Sequence, residues 1–166
     1  MSLLYSKKHL NDTNSGHYSE EYDIIEFVPS LKSFYMQGET HSIRTTFVRC
    51  YFQLMTFGKA KLVCAINQDG ETVHTSYVVP KCFKFPMLSV NDYIIGPCFT
   101  RPDYRGQGIY PRVLEYICSH IGNIETLFYM CVDESNLPSI KGIEKSGFKK
   151  CGSAKKTRFL KRYYFD

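Results

Sequence analysis

Long apolar runs are missing from the sequence: none approaches the roughly 20 residues that a helix needs to span a bilayer. The first residues, Met1 to Lys8, also lack the apolar core of a signal peptide and carry no lipidation motif. These absences argue against membrane insertion and secretion. We therefore expect a cytoplasmic chain without a membrane partner.

Cysteine is present, but not in the patterns that bind metals or build disulfide frameworks. The seven cysteines lie 13 to 20 residues apart, and no Cys-x-x-Cys pair occurs among them. An odd number at this spacing argues against a disulfide framework and against a zinc cluster. We expect no metal.

Internal repeats and low-complexity segments are absent as well. The chain has 166 residues, of which 43% are hydrophobic and 22% are charged, as is ordinary for a globular protein. This length predicts a single domain over residues 1–166. The net charge of +5 suggests an anionic partner without identifying it.

Basic residues are concentrated near the end of the chain. Lys149, Lys150 and the stretch from Lys155 to Arg162 precede the aromatic residues Tyr163 to Phe165. This composition fits a nucleic-acid patch, and it also fits the solvated face of an edge strand blunted by lysines. We favour the second interpretation and do not expect nucleic acid as a partner.

Hydrophobic periodicity predicts a mixed α/β (α+β) fold with helices on both faces of one sheet. The apolar stripe of the first helix, Ile43, Phe47, Tyr51, Leu54 and Met55, is expected to face the core, with Thr40 or Ser42 as N-cap. Strands are predicted over residues 2–8, 22–28, 59–66, 71–79, 93–100, 127–132, 148–151 and 158–165, and helices over 43–55, 110–121 and about 137–143, while 11–21 is predicted to be a loop.

Two local signals refine this sheet. Asn67-Gln-Asp-Gly70 predicts a tight hairpin turn, because the Asp-Gly pair supplies positive φ angles. Gly96-Pro97 interrupts the strand over 93–100 and removes a backbone donor, so we expect a β-bulge there.

The stretch from Thr100 to Arg112 lies between that strand and the second helix. Gly106 and Gly108 allow the backbone to approach a ligand, and the first helical turn offers unpaired N–H groups at the positive end of the helix dipole. Pro111 suits this first turn because its missing N–H removes no helical bond. The pattern indicates an anion site, although a tight turn without a ligand is the alternative.

The same stretch carries a family resemblance. Arg105-Gly-Gln-Gly-Ile-Tyr110 resembles the Arg/Gln-x-x-Gly-x-Gly/Ala signature of the GNAT superfamily of acetyl-CoA-dependent N-acetyltransferases. Asn136-x-x-Ser139 and Glu144-Lys-Ser-Gly-Phe148 are similar to the family's later helix and its exit. The resemblance implies a mixed, mostly antiparallel central sheet. Tyr110 departs from it, since the family has a small residue there.

The resemblance also implies acetyl-CoA as co-substrate. The backbone of Arg105, Gly106, Gln107, Gly108, Ile109 and Tyr110 would hold the pyrophosphate, and that of Phe99 and Thr100 would pair with the pantetheine arm. Asn136 and Ser139 would lie beside the pantetheine or its thiol end. A helix N-cap for Asn136 and a helix-packing contact for Ser139 are the open alternatives.

Proton transfer is where the chain departs most from the family. Ile143 stands at the position of the family's proton-donating tyrosine, so a tyrosine elsewhere, a cysteine or a water molecule would have to protonate the thiolate. His74 is the leading candidate for the base, because its ordinary pKa of about 6.5 suits an ammonium substrate. A cross-strand residue without a catalytic role is its alternative, and Asp92 is the second candidate.

The predicted function is transfer of acetyl from acetyl-CoA to a primary amine of a small molecule. Ile95-Gly-Pro-Cys98 together with the stretch from Arg105 to Pro111 is similar to a bacterial GNAT subset associated with surface-polysaccharide gene clusters, which favours an amino sugar. A coenzyme A-binding module without catalysis and a nucleic-acid-binding protein are the alternatives. A homodimer is compatible with the sequence.

Overall fold

The computed structural model describes residues 2–10, 21–30, 33, 35, 42–158 and 162–165. In this part of the chain, eight strands form one sheet and three α-helices pack on it. In chain order the elements are β1 (Ser2–Lys8), β2 (Tyr22–Phe27), α1 (Ile43–Met55), β3 (Lys61–Asn67), β4 (Thr72–Pro80), β5 (Tyr93–Thr100), a 3₁₀ turn (Pro102–Tyr104), α2 (Ile109–His120), β6 (Leu127–Asp133), α3 (Leu137–Lys145), β7 (Lys149–Lys156) and β8 (Tyr163–Phe165).

The sheet has the strand order β2-β3-β4-β5-β6-β1-β7-β8. Only β5 and β6 run parallel, and every other neighbouring pair is antiparallel. The prediction of a mixed, mostly antiparallel sheet is therefore confirmed. The N-terminal strand β1 lies inside the sheet, between β6 and β7.

Two hydrophobic cores lie on the two faces of the sheet. On one face, α2 contributes Val113, Leu114 and Ile117 to a core that also includes Ile143 of α3. On the other face, Phe52 of α1 packs in a core with residues of β3, β4 and β5. Helices thus cover both faces, as the periodicity predicted.

The predicted bulge in β5 is present. Ser76 of β4 pairs with Cys98, whereas Val78 pairs with Ile95, so three steps along β5 match two along β4. The extra residue falls at Gly96-Pro97. On its other side, β5 pairs with β6 only at Tyr93 and Ile94, so the two strands separate beyond that point. The separation leaves a wedge between β5 and β6.

The predicted hairpin between β3 and β4 is also confirmed. The N–H of Gly70 donates to the Asn67 carbonyl at 3.0 Å, and Gly70 has a φ of 79°. This left-handed conformation is the one that the Asp-Gly pair predicted.

The prediction for the apolar stripe of α1 was wrong. Ile43, Phe47 and Leu54 are 71–79% exposed, and the buried residues of the helix are Arg49 and Phe52. Periodicity locates a stripe but not the side that meets the sheet. Here Phe52 packs on Tyr77 with ring centroids 5.4 Å apart, and this contact turns the stripe toward solvent.

Several predicted boundaries shift at the ends of elements. Ser42 is the N-cap of α1 but makes no side-chain cap bond, and Thr40 lies outside the described residues, as does most of the predicted loop over 11–21. Strand β7 continues to Lys156, well past the predicted end at residue 151. Strand β8 begins at Tyr163, and 159–161 lie outside the described residues.

Candidate functional site

A cavity of about 570 Å³, which we call the larger cavity, opens beside the N-terminus of α2. It is bounded by β4, β5, the turn that follows β5, the first turn of α2, and α3 along its length. The lining residues are His74, Cys98, Phe99, Thr100, Tyr104, Arg105, Gly106, Gly108, Ile109, Tyr110, Pro111, Asn136, Pro138, Ser139, Lys141, Gly142 and Lys145.

The sequence predicts an anion site at the start of α2, and the structure places two left-handed glycines there. Gly108 is the N-cap of the helix and has a φ of 78°, while Gly106 has a φ of 80°. A Cβ atom built on either glycine would meet no other atom within 4 Å, so both backbones face open space. The first N–H groups of a helix have no carbonyl partner within it, and the dipole is positive there. The backbone geometry therefore suits a phosphate.

Three cations line the same cavity. Arg105 follows the 3₁₀ turn and its Nε donates to the Thr100 carbonyl at 3.2 Å. Lys141 and Lys145 lie one turn apart on α3. Sequence reasoning missed these lysines, although their i, i+4 spacing after the Asn136 cap was visible. Together the cations favour a ligand with several negative charges.

The structure brings together nearly all residues predicted to bind coenzyme A. Nine of the ten line the larger cavity, namely Phe99, Thr100, Arg105, Gly106, Gly108, Ile109, Tyr110, Asn136 and Ser139. Gln107 is the exception. Its side chain accepts a hydrogen bond from the Tyr22 hydroxyl at 2.5 Å and donates to the Asp103 carbonyl at 3.2 Å. Gln107 thus fixes the turn and does not line the cavity.

Asn136 caps α3, which was the alternative interpretation of this residue. Its side-chain oxygen accepts the N–H of Ser139 at 3.3 Å, and both residues line the cavity. The cap orients the first turn of α3 toward the space beside β5.

Tyr110 fits against a glycine of α3. A Cβ atom on Gly142 would lie 2.6 Å from Cδ1 of Tyr110, so only glycine leaves room for this ring. On its other side the ring lies 5.6 Å from the His74 ring, centroid to centroid. The glycine at position 142 therefore makes room for the large Tyr110 side chain in the signature. A glycine inside a helical pattern was the signal that could have predicted this contact.

His74 is buried within a series of hydrogen bonds. Its Nδ1 lies 2.6 Å from the Thr100 hydroxyl and its Nε2 lies 2.8 Å from the Ser76 hydroxyl. Burial lowers the pKa of His74 to about 3, because the charged ring would lose its hydration. The imidazole is therefore neutral at pH 7, with one hydroxyl donating to it and the other accepting from it.

The series continues to Cys98 and Tyr110. Ser76 is hydrogen-bonded to the Cys98 thiol, and the Tyr110 hydroxyl donates to the Cys98 sulfur. Burial raises the pKa of Cys98 to about 11, against the opposing effect of these hydrogen bonds, and burial likewise raises the pKa of Tyr110. Both groups stay protonated at pH 7. We call Tyr110, Cys98, Ser76, His74 and Thr100 the polar row.

Asp92 lies elsewhere. Its carboxylate accepts the N–H of Ser89 at 3.0 Å and the N–H of Leu127 at 3.1 Å, and it lines neither cavity described here. These bonds tie the start of β6 to the turn before β5. Asp92 thus helps to fix the end of the wedge at which β5 and β6 pair.

The burial of His74 predicts a pH dependence of stability. Its pKa is lower in the folded protein than in the unfolded chain, so between pH 6.5 and 3 the unfolded chain binds the extra proton. Stability should therefore fall as the pH falls below 6.5, by about 1 kcal/mol per pH unit from this group. Urea unfolding of the parent and of His74→Gln at pH 7, 6 and 5 measures it. Equal slopes for the two proteins would contradict the prediction.

A second cavity of about 220 Å³, the smaller cavity, lies on the α1 side of the sheet. It shares His74 and Phe99 with the larger cavity, so β4 and β5 form the wall between the two. Its lining residues are Thr45, Arg49, Thr72, Val73, His74, Thr75, Tyr77, Pro97, Phe99 and Arg101.

Among the described residues, no helix is long and apolar enough to cross a membrane. The same part of the chain contains no group of three or more histidine, cysteine, aspartate or glutamate residues that could hold a metal ion.

The fold resembles that of solved acetyltransferases. One is an acetyltransferase of the GNAT family from Colwellia psychrerythraea, with 16% identity, a TM-score of 0.58, and coverage of 90% of this chain and 52% of that one. Another is a GCN5-related N-acetyltransferase from Sphaerobacter thermophilus, with 14% identity, a TM-score of 0.61, and coverage of 90% and 48%. At this identity the likeness establishes the fold, and the chain spans about half the length of these two structures.

The sequence itself establishes the family. The family model described as "Acetyltransferase (GNAT) family" matches residues 30–148. The protein belongs to the GNAT acetyltransferase family, which confirms the resemblance found in the signature. No curated protein matches the chain.

Proposed function

We propose that the protein transfers an acetyl group from acetyl-CoA directly to a primary amine of a small molecule. The observation that carries this proposal is the convergence of nine predicted coenzyme-binding residues on one cavity, beside a helix start with three nearby cations. Membership in the GNAT family supports the same reaction.

The residues of the larger cavity fit coenzyme A. The left-handed glycines Gly106 and Gly108 let phosphates reach the N–H groups of the first turn of α2. Arg105, Lys141 and Lys145 would pair with the negative charges of the nucleotide end. On β5, the edge beyond Ile94 is open toward the wedge, where backbone groups of Phe99 and Thr100 can bond an extended arm. When bound, acetyl-CoA supplies the activated acetyl thioester.

Direct transfer is supported by the state of Cys98. This thiol lines the larger cavity, but burial raises its pKa to about 11, so it is a poor nucleophile at neutral pH. A covalent acetyl-cysteine step is therefore disfavoured. Attack by the substrate amine on the thioester carbonyl, followed by loss of the thiolate, needs only proton transfers from the protein.

The polar row offers a route for those protons. In this proposal the Thr100 hydroxyl accepts the proton that the attacking nitrogen loses and passes its own proton to Nδ1 of His74, while Nε2 of His74 passes another to Ser76. The transfer continues through Cys98, whose thiol proton passes to Tyr110 as the Tyr110 hydroxyl turns from the Cys98 sulfur and donates its own proton to the departing sulfur. The nitrogen loses one proton and the sulfur gains one, so no group in the row stays charged. We propose His74 in this role in preference to Asp92, which does not line either cavity.

An amino sugar is the first acceptor class to test, because the signature resembles that of the polysaccharide-associated GNAT subset. A cytoplasmic location and a homodimer are compatible parts of the proposal. The test is an acceptor screen with acetyl-CoA that measures release of free thiol and the mass of the acetylated product. Turnover of a primary amine is expected. Saturable coenzyme A binding without turnover of any amine would favour a binding module, and salt-sensitive oligonucleotide binding unaffected by coenzyme A would favour the nucleic-acid alternative.

A further inference from the structure

The turn proposed to hold the pyrophosphate contains two positions with wide backbone freedom. Gly106 and Gly108 have φ angles of 80° and 78°, and glycine loses more conformational freedom on ordering than any other residue. Backbone N–H groups bind an anion more tightly when they are held in place beforehand, because ordering the loop on binding costs free energy. Gln107 lies between the two glycines and alone has a side chain there. Contacts to this side chain can therefore fix the turn.

The side chain of Gln107 is hydrogen-bonded at both of its polar atoms. Its Nε2 donates to the Asp103 carbonyl at 3.2 Å, which joins the two ends of the turn. Its Oε1 accepts from the Tyr22 hydroxyl at 2.5 Å. Tyr22 is the buried first residue of β2, and burial, together with the nearby Glu21 carboxylate, raises the pKa of its hydroxyl. The hydroxyl therefore keeps its proton, and Gln107 connects the turn to a buried strand residue.

A second set of contacts holds the first half of the same turn. The Tyr104 hydroxyl accepts from Nδ2 of Asn67 at 3.0 Å, and the Tyr104 ring meets the Tyr22 ring edge-on, with centroids 6.3 Å apart. Asn67 accepts the N–H of Glu71 at 2.8 Å, and Glu71 pairs with Arg101 at 2.8 Å. Of these residues only Tyr104 lines the larger cavity. The others support the turn from β2 and from the β3–β4 hairpin without occupying the space for a ligand.

We infer that Tyr22 is a positioning residue for the coenzyme: through Gln107, its hydroxyl holds the turn in the conformation that binds the pyrophosphate. Tyr22 does not line the larger cavity, so it acts on the ligand only through the turn. The inference rests on the proposed function for the identity of the ligand. Because the turn is the place of the pyrophosphate, the effect of Tyr22 should appear with ligands that contain this group and not with the pantetheine arm alone.

The test compares two ligands in the parent and in Tyr22→Phe. Coenzyme A carries the pyrophosphate and the nucleotide, whereas pantetheine has only the arm and the thiol. Isothermal titration gives the affinity for coenzyme A, and competition against coenzyme A gives the affinity for pantetheine. Tyr22→Phe keeps the buried ring and removes one hydrogen bond, so its affinity for coenzyme A should fall about three- to tenfold. Its affinity for pantetheine should stay within about twofold of the parent's.

Three further variants locate the effect. Gln107→Met keeps the length of the side chain and removes both of its hydrogen bonds, so it should weaken coenzyme A binding at least as much as Tyr22→Phe does. The double variant should bind coenzyme A like Gln107→Met alone, because the two residues act through one bond. Tyr5→Phe is the matched control, since it removes a buried strand hydroxyl that donates to Glu144 at 2.9 Å, and neither residue lines the larger cavity. It should bind both ligands like the parent.

The outcomes separate a positioning role from a purely structural one and from the proposed function. Equal losses for coenzyme A and pantetheine, or losses that multiply in the double variant, would overturn the inference. Unchanged coenzyme A affinity in Tyr22→Phe, or an equal loss in Tyr5→Phe, would overturn it as well. A parent protein that binds coenzyme A but acetylates no amine would overturn acetyl transfer, while a selective loss in Tyr22→Phe would still support the inference. A parent that binds no coenzyme A would overturn both.

Discussion

Gly108→Val should lower the affinity for coenzyme A by more than about 100-fold, or about 2.7 kcal/mol. Two effects act together in this variant. Gly108 has a φ of 78°, which a β-branched residue rarely adopts, and the space beside its Cα is the open space of the larger cavity. The valine side chain would therefore occupy the place of the phosphates. Isothermal titration with coenzyme A measures the loss.

The chain offers a matched control for the backbone strain. Gly70 has a φ of 79°, and a Cβ atom there would also meet no atom within 4 Å, but Gly70 lies in the β3–β4 hairpin and does not line the larger cavity. Gly70→Val should keep parental coenzyme A affinity. If both variants lose affinity for coenzyme A, backbone strain and not the larger cavity accounts for the loss. Unchanged affinity in Gly108→Val would show that the phosphates do not bind at this turn.

His74→Ala should lower kcat/KM by roughly 100-fold or more while the affinity for acetyl-CoA stays nearly unchanged. The imidazole connects Thr100 to Ser76, and without it the polar row is interrupted between the two cavities. Because burial keeps the folded pKa at about 3, the pH–rate profile of the parent should show no inflection near pH 6.5 from this residue. Steady-state kinetics from pH 5.5 to 9 with an identified acceptor, together with titration of acetyl-CoA, test both parts.

Tyr110→Phe is the companion variant at the other end of the row. It keeps the ring against Gly142 and removes only the hydroxyl that donates to Cys98. If one row carries the proton, the double variant should be little slower than the slower single variant. If the losses in kcat/KM of the two single variants multiply in the double variant, the two residues act separately. Near-parental turnover in His74→Ala would rule out the polar row and leave a water molecule to relay the proton to the base.

Most of the lining of the larger cavity was predictable because its determinants are local in sequence. Gly106, Gly108 and Pro111 specify a turn and a helix start within six residues, and Asn136 specifies the next cap. Backbone conformation and the family signature therefore predicted nine lining residues without knowledge of the tertiary structure.

The polar row was not predictable in the same way. It depends on strand register: His74 faces Thr100 and Ser76 faces Cys98 only because β4 pairs with β5 around a bulge. His74 was proposed for its ordinary pKa, yet the tertiary structure buries the ring and removes that property. The direction in which α1 faces was likewise decided by tertiary contacts of Phe52 and Arg49 and not by its periodicity.

The solvent-facing apolar stripe of α1 has a practical consequence for handling the protein. The exposed apolar side chains of this stripe, Ile43, Phe47 and Leu54, favour self-association. The net charge of +5 opposes it, because molecules of like charge repel each other. That repulsion vanishes near the isoelectric point of about 8.8. On the acidic side, protonation of the unfolded chain at His74 erodes the folded state. A concentrated solution should therefore be most soluble and stable near neutral pH. Alkaline crystallisation buffers should favour precipitation through contacts between the exposed stripes of α1.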